Sequence, residues 1–182
     1  INTSDMLIQP TLNSPAISLN SGQPHYYENL LDSSFRISSP SFFQVNTTQA
    51  EKMATLMQSR LQLTGDEVLV DAYAGVGTFT VLFAPFVRKI IAIEESGAAV
   101  KDATINTLGI RNLKFIEDKT EEALNNLDES VDAIILDPPR VGCHPNAIES
   151  TIRIGPKRIL YVSCDPSTLA RDLNLLVQGG FR

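Results

Sequence analysis

The sequence predicts an α/β fold built around a doubly wound, parallel β-sheet. From Glu67 onward, five short β-rich runs alternate with stretches of helical pattern: EVLVDAY, KIIAIEE, LKFIE, VDAIILD and RILYVSC. Such alternation is typical of strands that are buried on both faces and joined by crossover helices. Glycines follow the first run directly, as they do where a strand turns tightly into a helix. At 182 residues, 43% of them hydrophobic, the chain is large enough for one such core.

The segment before this unit has a different pattern. Residues 1–40 are rich in Ser, Asn, Pro and Gly, and the short apolar stretches AISL and FRIS predict hairpin strands without a core of their own. The stretch TTQAEKMATLMQSRL then places apolar residues at helical spacing behind threonines suited to cap a helix. We therefore expect a helix from Thr47 to Leu63.

Composition and charge exclude several classes of protein. The two cysteines, Cys143 and Cys164, do not form a Cys-x-x-Cys pair, which argues against a disulfide framework and predicts no metal site. No run approaches the roughly 18 apolar residues that cross a bilayer, and INTSDMLIQP lacks the pattern of a signal peptide. We therefore expect a soluble, cytoplasmic protein without membrane contact. The net charge of −6 argues against a broad nucleic-acid-binding surface but leaves room for local basic patches.

The end of the first strand, VDAYAGVGTFT, is the first candidate for a ligand site. Ligands of doubly wound sheets bind beyond the carboxyl ends of the strands. Here Asp71, Gly75 and Gly77 follow a strand, and a helix is predicted to begin near Thr78. A dinucleotide fingerprint would need glycine at position 80, where Thr80 stands, so a nicotinamide cofactor is disfavoured. A plain tight turn is the alternative interpretation.

Acidic residues also close the second and fourth strands. Glu94 ends KIIAIE, at a place where a carboxylate accepts hydrogen bonds from both hydroxyls of a ribose, which predicts an adenosine-type ligand. Asp137 ends VDAIILD and is followed by two prolines, which fix φ, lack N–H donors and form a rigid wall beside it. The alternative for Asp137 is a simple turn that starts a loop.

The stretch YVSCDPSTLARD places Cys164 between the last strand and a helix. Asp165 suits an N-cap and Pro166 suits the first helical position, so the thiol is predicted at a helix N-terminus, whose field favours a thiolate. From the residues alone, Cys164 is either a nucleophile beside the ligand site or a buried packing residue. For Cys143, in the loop RVGCHP, we expect a structural or incidental role although His144 is adjacent.

Five motifs together resemble one known family. SFFQVN, DAYAGVGTF, AIEE, DPPRVG and YVSCDPSTLARDL occur in this order. From Phe35 to Phe181 the chain resembles the class I S-adenosylmethionine-dependent RNA (uracil-5-)-methyltransferases. The resemblance implies a Rossmann-like methyltransferase sheet, S-adenosylmethionine as the cofactor and Cys164 as the catalytic nucleophile. It also implies a set of cofactor-binding residues: Gln44, Asp71, Tyr73, Gly75, Thr78, Glu94 and Asp137.

The resemblance further implies a reaction and a partner. Cys164 is expected to add to C6 of a uridine in RNA, 23S ribosomal RNA first and transfer RNA second, so that C5 takes the methyl group. Three alternatives stay open: a cofactor-binding module without chemistry of its own, an RNA cytosine-5 methyltransferase and a nicotinamide oxidoreductase. After the prolines of the fourth-strand motif, an aromatic residue would favour methylation of an exocyclic amine and a cysteine would favour cytosine, whereas this chain has Arg140.

We expect two parts and an incomplete catalytic fold. Residues 1–46 are predicted to be the remnant of a central, RNA-binding domain with hairpin-like strands, and residues 47–182 a methyltransferase domain. The family's proton-abstracting glutamate lies beyond the cysteine helix, and this chain stops at GGFR, where a sixth strand should start. We therefore expect the general base to lie outside these residues, and we expect the protein to be a monomer.

Overall fold

An antiparallel hairpin opens the described part of the chain, which is residues 24–44 and 46–182 of the computed structural model. Its strands are β1 (His25–Leu30) and β2 (Ser33–Ser38), so the strand predicted from FRIS is confirmed, whereas AISL lies outside the described residues. The hairpin shares one apolar cluster with the unit that follows it: Leu30, Phe35, Ile37, Phe43, Ala50 and Val76. Each large side chain buried there contributes roughly 1.5–3 kcal/mol. The hairpin therefore packs onto its neighbour, and the domain boundary after residue 46 stays a prediction.

The five predicted runs form one parallel sheet. Its strands are β3 (Val68–Asp71), β4 (Lys89–Glu94), β5 (Leu113–Glu117), β6 (Ala133–Leu136) and β7 (Arg158–Tyr161), in the order β5-β4-β3-β6-β7. The chain leaves β3 toward β4 on one side and leaves β6 toward β7 on the other. Because the connections diverge between the neighbours β3 and β6, a crevice opens at the carboxyl ends of these two strands.

In the described residues, six α-helices surround the sheet: α1 (Thr47–Leu61), α2 (Thr78–Phe83), α3 (Gly97–Asn106), α4 (Thr120–Asn125), α5 (Pro145–Ile154) and α6 (Pro166–Gln178). The predicted start of α1 at Thr47 is confirmed, whereas the predicted threonine cap and the predicted end at Leu63 are wrong. Its cap is the side chain of Asn46, which accepts from the Gln49 N–H at 3.1 Å. The helix ends at Leu61, before the expected Leu63, because Gln62 takes the left-handed conformation at φ 46°. Within the described ranges, none of the helices combines the length and apolar character needed to cross a bilayer.

The core lies on both faces of the sheet because successive strand residues point to opposite faces. On β3, Val68 and Val70 enter a cluster with side chains of α4, α5 and α6, whereas Leu69 enters a second cluster with side chains of α1 and α2. All four residues of β3 are buried, as expected for the central strand of a parallel sheet. The crevice therefore lies at one edge of a sheet whose two faces are both covered by helices.

Candidate active site

The carboxyl ends of β3 and β6 bring two predicted site residues to the crevice. Asp71, the last residue of β3, pairs in register with Ile135 of β6, and the Ala72 N–H donates to the Ile135 carbonyl at 3.1 Å. Asp137 follows β6 directly. Other predicted residues lie on segments that leave the same edge of the sheet: Tyr73, Gly75, Thr78, Glu94 and Cys164. Gln44 comes from the segment between the hairpin and α1.

The glycine loop, residues 74–77, joins β3 to α2. Gly75 and Gly77 have positive φ values of 56° and 86°, which favour glycine. A Cβ atom on Gly77 would lie 3.3 Å from Thr107 Cγ2 and 3.5 Å from Ala103 Cβ, so the loop packs closely against α3. At Gly75, by contrast, no atom of the described residues beyond Gly75 and its two chain neighbours lies within 4 Å of the Cβ position. The loop is therefore anchored on one side and open to a ligand on the other.

Glu94, at the end of β4, fixes this loop. Its Oε2 accepts from the Gly75 N–H at 2.8 Å, and its Oε1 accepts from the Ser96 N–H at 2.7 Å. Each carboxylate oxygen has a second lone pair, so Glu94 retains the capacity to accept hydroxyl groups of a ligand. The sequence predicts the ligand contact but gives no sign of the contact with the loop.

Asp71 forms the floor of the crevice. Its side chain is fully buried, Oδ2 accepts from Thr80 Oγ1 at 2.7 Å, and Oδ1 has no hydrogen-bond partner within the described ranges. Burial raises the pKa of Asp71 to about 7; the Thr80 hydrogen bond opposes this shift, and the charges of Asp137 and Glu94 add to it. A buried carboxyl oxygen without a hydrogen-bond partner is costly. A ligand that brings a hydrogen-bond donor or a positive charge close to Asp71 would therefore stabilise it.

Asp137 gives the crevice a second carboxyl group with a raised pKa. It is half-buried, and burial raises its pKa to about 6. Together, Asp71, Asp137 and Glu94 place three acidic side chains at neighbouring strand ends. Opposite charge close to such carboxyl groups favours their ionised forms, so the site is electrostatically suited to a ligand that carries positive charge.

Three further predicted residues are half-buried at the margins of the crevice: Gln44, Tyr73 and Thr78. Gln44 follows Phe43, which is buried and packs on Phe35 with ring centroids 5.6 Å apart. Tyr73 packs against the core cluster beside α4 and α5, and burial raises the pKa of its phenol far above the usual value. Thr78 is the first residue of α2. Of these three side chains, Tyr73 is thus packed against the core of the sheet.

Cys164 is exposed, whereas Cys143 is buried. The predicted N-terminus of α6 is confirmed: Asp165 is the cap, accepting from the N–H groups of Ser167 at 2.9 Å and Thr168 at 3.0 Å. The Cys143 side chain is only 3% exposed, and burial raises its pKa to about 11. Of the two thiols, only that of Cys164 is presented to a substrate.

Helix α6 also holds the loop of residues 140–143, which follows Asp137 and its two prolines. Thr168 Oγ1 donates to the first carbonyl of this loop at 3.3 Å, and Arg171 Nη2 donates to the second at 3.0 Å. The last N–H of the loop donates to Oδ2 of buried Asp172 at 2.8 Å. The loop after β6 and the helix after Cys164 are therefore joined as one unit.

Sequence reasoning missed the side chains that hold the site together. In the sequence, Thr80 is notable only because it occupies the position of the third glycine in a dinucleotide fingerprint, yet its hydroxyl donates to Asp71. Arg171 and Asp172 lie inside a recognised motif without an evident role. On α3, Asp102 and Asn106 tie down segments distant in sequence, and their four-residue spacing within a helix was the available signal. Their partners depend on tertiary packing.

Comparison with known proteins agrees with this geometry. A sequence model of the tRNA (uracil-5-)-methyltransferase family matches residues 29–180. An uncharacterized RNA methyltransferase of Thermosynechococcus vestitus is 44% identical over 161 residues, covering 87% of this chain and 36% of that protein. One of Synechocystis sp. is 46% identical over 158 residues, covering 85% of this chain and 34% of that protein. The chain thus spans about a third of the length of these curated relatives.

A solved structure with the same fold is the Pyrococcus abyssi tRNA (uracil-54, C5)-methyltransferase in complex with S-adenosyl-L-homocysteine. It matches with a TM-score of 0.71 and 31% sequence identity, covering 85% of this chain and 38% of that chain. The predicted Rossmann-like methyltransferase sheet is confirmed, and so is the predicted cofactor class, S-adenosylmethionine, at the level of the family. The matched residues include all five motifs on which the resemblance rests, and the chain belongs to the tRNA (uracil-5-)-methyltransferase family.

Proposed function

We propose that this chain provides the cofactor site and the nucleophile of an enzyme that transfers a methyl group from S-adenosylmethionine to C5 of a uridine in RNA. The observation that carries the proposal is the position of Cys164, an exposed thiol just before α6. It leaves the sheet at the same edge as the glycine loop and the acidic residues of the crevice. Membership of the family supports the same reaction.

The residues around the crevice fit S-adenosylmethionine. The open backbone at Gly75 and the remaining lone pairs of Glu94 suit the ribose, while Asp71 and Asp137 suit a positively charged group. We assign the half-buried side chains at the margins to the same pocket: Gln44, Tyr73 and Thr78. When bound, the cofactor supplies an electrophilic methyl group on a positively charged sulfur.

Cys164 would create the attacking carbon. Its thiolate adds to C6 of the uracil ring, and the electron pair of the C5=C6 double bond moves onto C5 and the neighbouring carbonyl. C5 then takes the methyl group, and the electron pair of the broken S–CH3 bond stays on the sulfur, which becomes neutral. A base removes the C5 proton, the C–H electrons re-form the double bond, and the C6–S bond breaks to release Cys164. The uridine has to leave its stack to reach the thiol, because the ring must be approached at its face.

We propose an RNA substrate, a cellular compartment and a domain organisation for the protein. Ribosomal RNA and transfer RNA are the two candidate substrates, and the named activity of the Pyrococcus abyssi neighbour makes transfer RNA a necessary arm of any test. We also propose a cytoplasmic monomer in which residues 1–46 belong to a central, RNA-binding domain and residues 47–182 to the methyltransferase domain.

Methylation of RNA by the full-length protein tests the proposal. We expect methyl-labelled S-adenosylmethionine to label transfer RNA or ribosomal RNA, nucleoside mass spectrometry to identify 5-methyluridine, and Cys164→Ala to abolish the product. Cys143→Ala is the matched control. Because the Cys143 thiol is buried, this substitution should leave the product unchanged. Formation of 5-methylcytidine would favour the cytosine enzyme. Tight cofactor binding without any RNA labelling would favour a binding module.

A further inference from the structure

Helix α3 carries two polar side chains, Asp102 and Asn106, that are one helical turn apart and are turned toward the hairpin. The Asp102 side chain is completely buried and accepts four hydrogen bonds. The donors are the Arg36 guanidinium, the Ser38 N–H at 2.8 Å, the Ser38 hydroxyl at 2.8 Å and the Ser41 hydroxyl at 2.7 Å. One carboxylate thus gathers the end of β2 and the turn that follows it.

Asn106 makes a second bridge from the same helix. Its Oδ1 accepts from the Arg36 N–H at 2.7 Å, and its Nδ2 donates to the Arg36 carbonyl at 3.0 Å. The same Nδ2 donates to the Val76 carbonyl at 2.9 Å, and Val76 stands between Gly75 and Gly77. One amide group therefore joins the backbone of β2 to the backbone of the glycine loop.

These contacts connect two segments that carry candidate cofactor contacts. The segment from Ser38 to Gln44 is fixed on α3 through Ser38 and Ser41, while Gly75 is next to the Val76 carbonyl that Asn106 holds. Asp102 itself lies beneath the hairpin with no exposed surface. Its contribution therefore has to pass through the segments that it holds.

We propose that Asp102 and Asn106 are positioning residues that set the separation between the Gln44 segment and the glycine loop, so that S-adenosylmethionine meets a site already formed. The inference rests on the proposed function for its ligand. In this proposal, α3 sets the distance between the Gln44 segment and the glycine loop, which would line the cofactor pocket. Preorganisation of this kind raises affinity because less order has to be imposed when the ligand binds.

The charge balance at Asp102 supports a fixed arrangement. Burial alone would raise the pKa of this carboxyl, but hydrogen bonds from Ser41 and Ser38 and the charge of Arg36 lower it below the usual value. The carboxylate is therefore ionised at neutral pH, and its partners stay aligned on it. Replacing Asp102 would leave Arg36 without its partner in a half-buried position, which risks the fold. The decisive variants are for that reason Asn106→Ala and the milder Ser41→Ala.

The first readout is calorimetric affinity for S-adenosylhomocysteine, measured on the full chain. We expect Asn106→Ala to weaken binding about five- to thirtyfold and Ser41→Ala about two- to fivefold, from the size of the hydrogen bonds removed. Ser41→Thr keeps the hydroxyl and should restore the affinity. Thr104→Ala is the matched control on α3, because that exposed hydroxyl bonds only to the Val100 carbonyl of its own helix.

The second readout separates positioning from general loss of structure. In methyl transfer by the full-length protein, Asn106→Ala should raise KM for S-adenosylmethionine by a similar factor and leave kcat at saturating cofactor within about twofold. If wild-type chain binds S-adenosylhomocysteine and both variants bind equally well, the inference is wrong and the proposed function stands. If the wild-type chain itself does not bind, the proposed function fails. Should Asn106→Ala not fold, the pair Ser41→Ala and Ser41→Thr decides alone.

Discussion

The two sides of the crevice differ in how they are held. On the proposed cofactor side, residues 68–107 with Asp137, β3 is buried throughout, buried Thr80 donates to Asp71 at the end of β3, and buried Asp102 holds the end of β2. The proposed nucleophile side, residues 158–178, begins with β7, which is only half-buried, and it presents Cys164 at the surface. The difference fits the proposed function, in which a preformed cofactor site lies beside a thiol that a larger substrate can reach. Substitutions on the two sides should therefore separate cofactor binding from covalent chemistry.

The largest separation is expected from Cys164→Ala. Without the thiol, C5 has no route to becoming nucleophilic, so methyl transfer by the full-length protein should fall by at least about a thousandfold. Affinity for S-adenosylhomocysteine should stay within about twofold, because no atom of the cofactor side changes. Radiolabel transfer and calorimetry on the same preparation measure the two effects. A large loss of cofactor affinity would mean that the two sides are not independent.

The two cysteines provide a second contrast. Cys164 is exposed, whereas burial keeps the Cys143 thiol inaccessible and raises its pKa to about 11. We expect iodoacetamide to modify Cys164 at least about a hundred times faster than Cys143 near pH 7.5, since the thiolate is the reactive form. Mass spectrometry of the two peptides over time gives the ratio, and the unfolded chain serves as the control in which both react. Similar rates in the folded chain would contradict this account of the nucleophile side.

Glu94 tests the cofactor side. Because it holds Gly75 and has lone pairs left for the ribose, Glu94→Ala should weaken S-adenosylhomocysteine binding about ten- to a hundredfold. Glu94→Gln keeps one acceptor oxygen and should lose less, about threefold to tenfold. Calorimetry compares both with Glu95→Gln, an exposed neighbour that should bind like the wild type. Unchanged affinity in Glu94→Ala would remove Glu94 from the site.

The acidity of the crevice predicts a smaller effect that depends on pH. The pKa values of Asp137 and Asp71 are raised to about 6 and about 7, so both carboxyls are partly protonated near neutral pH. The positive sulfonium of S-adenosylmethionine favours their ionised forms, so binding should release protons and affinity should rise with pH through this window. We expect a rise of up to about tenfold from pH 5.5 to 7.5.

S-adenosylhomocysteine is the matched control for this rise. Its sulfur is neutral, so its affinity should change clearly less over the same pH range. Asp137→Asn should flatten the curve for S-adenosylmethionine, because it removes one titrating group. Parallel pH curves for the two ligands would show that these carboxyls do not face the sulfur.

The strand ends and the start of α6 could be predicted from the sequence. Runs such as VDAIILD are recognisable because parallel strands are buried on both faces, and their ends place Asp71, Glu94 and Asp137 at one edge. The position of Cys164 before a helix is readable from the cap at Asp165. These features depend on local sequence or on a general rule of the fold.

Long-range hydrogen bonds were not predictable in this way. Asn106 bonds to Arg36, seventy residues away, and Asp102 bonds to Ser38 at the end of β2 and to Ser41 just after it. Nothing in either segment alone identifies the other as its partner, because the contact exists only once the hairpin has packed on α3. The hydrogen bond between Glu94 and the Gly75 N–H is hidden for the same reason.

Trapping of the covalent intermediate tests the central claim most directly. In RNA carrying 5-fluorouridine, C5 has no proton to lose, so the adduct should persist after methyl transfer. Incubation of the full-length protein with methyl-labelled S-adenosylmethionine and this RNA should give one denaturation-resistant complex. After digestion, mass spectrometry should find a methylated fluorouracil nucleotide attached to Cys164, and Cys164→Ala should give none. Attachment at another residue, or methylation of ordinary RNA by Cys164→Ala at the wild-type rate, would contradict the account.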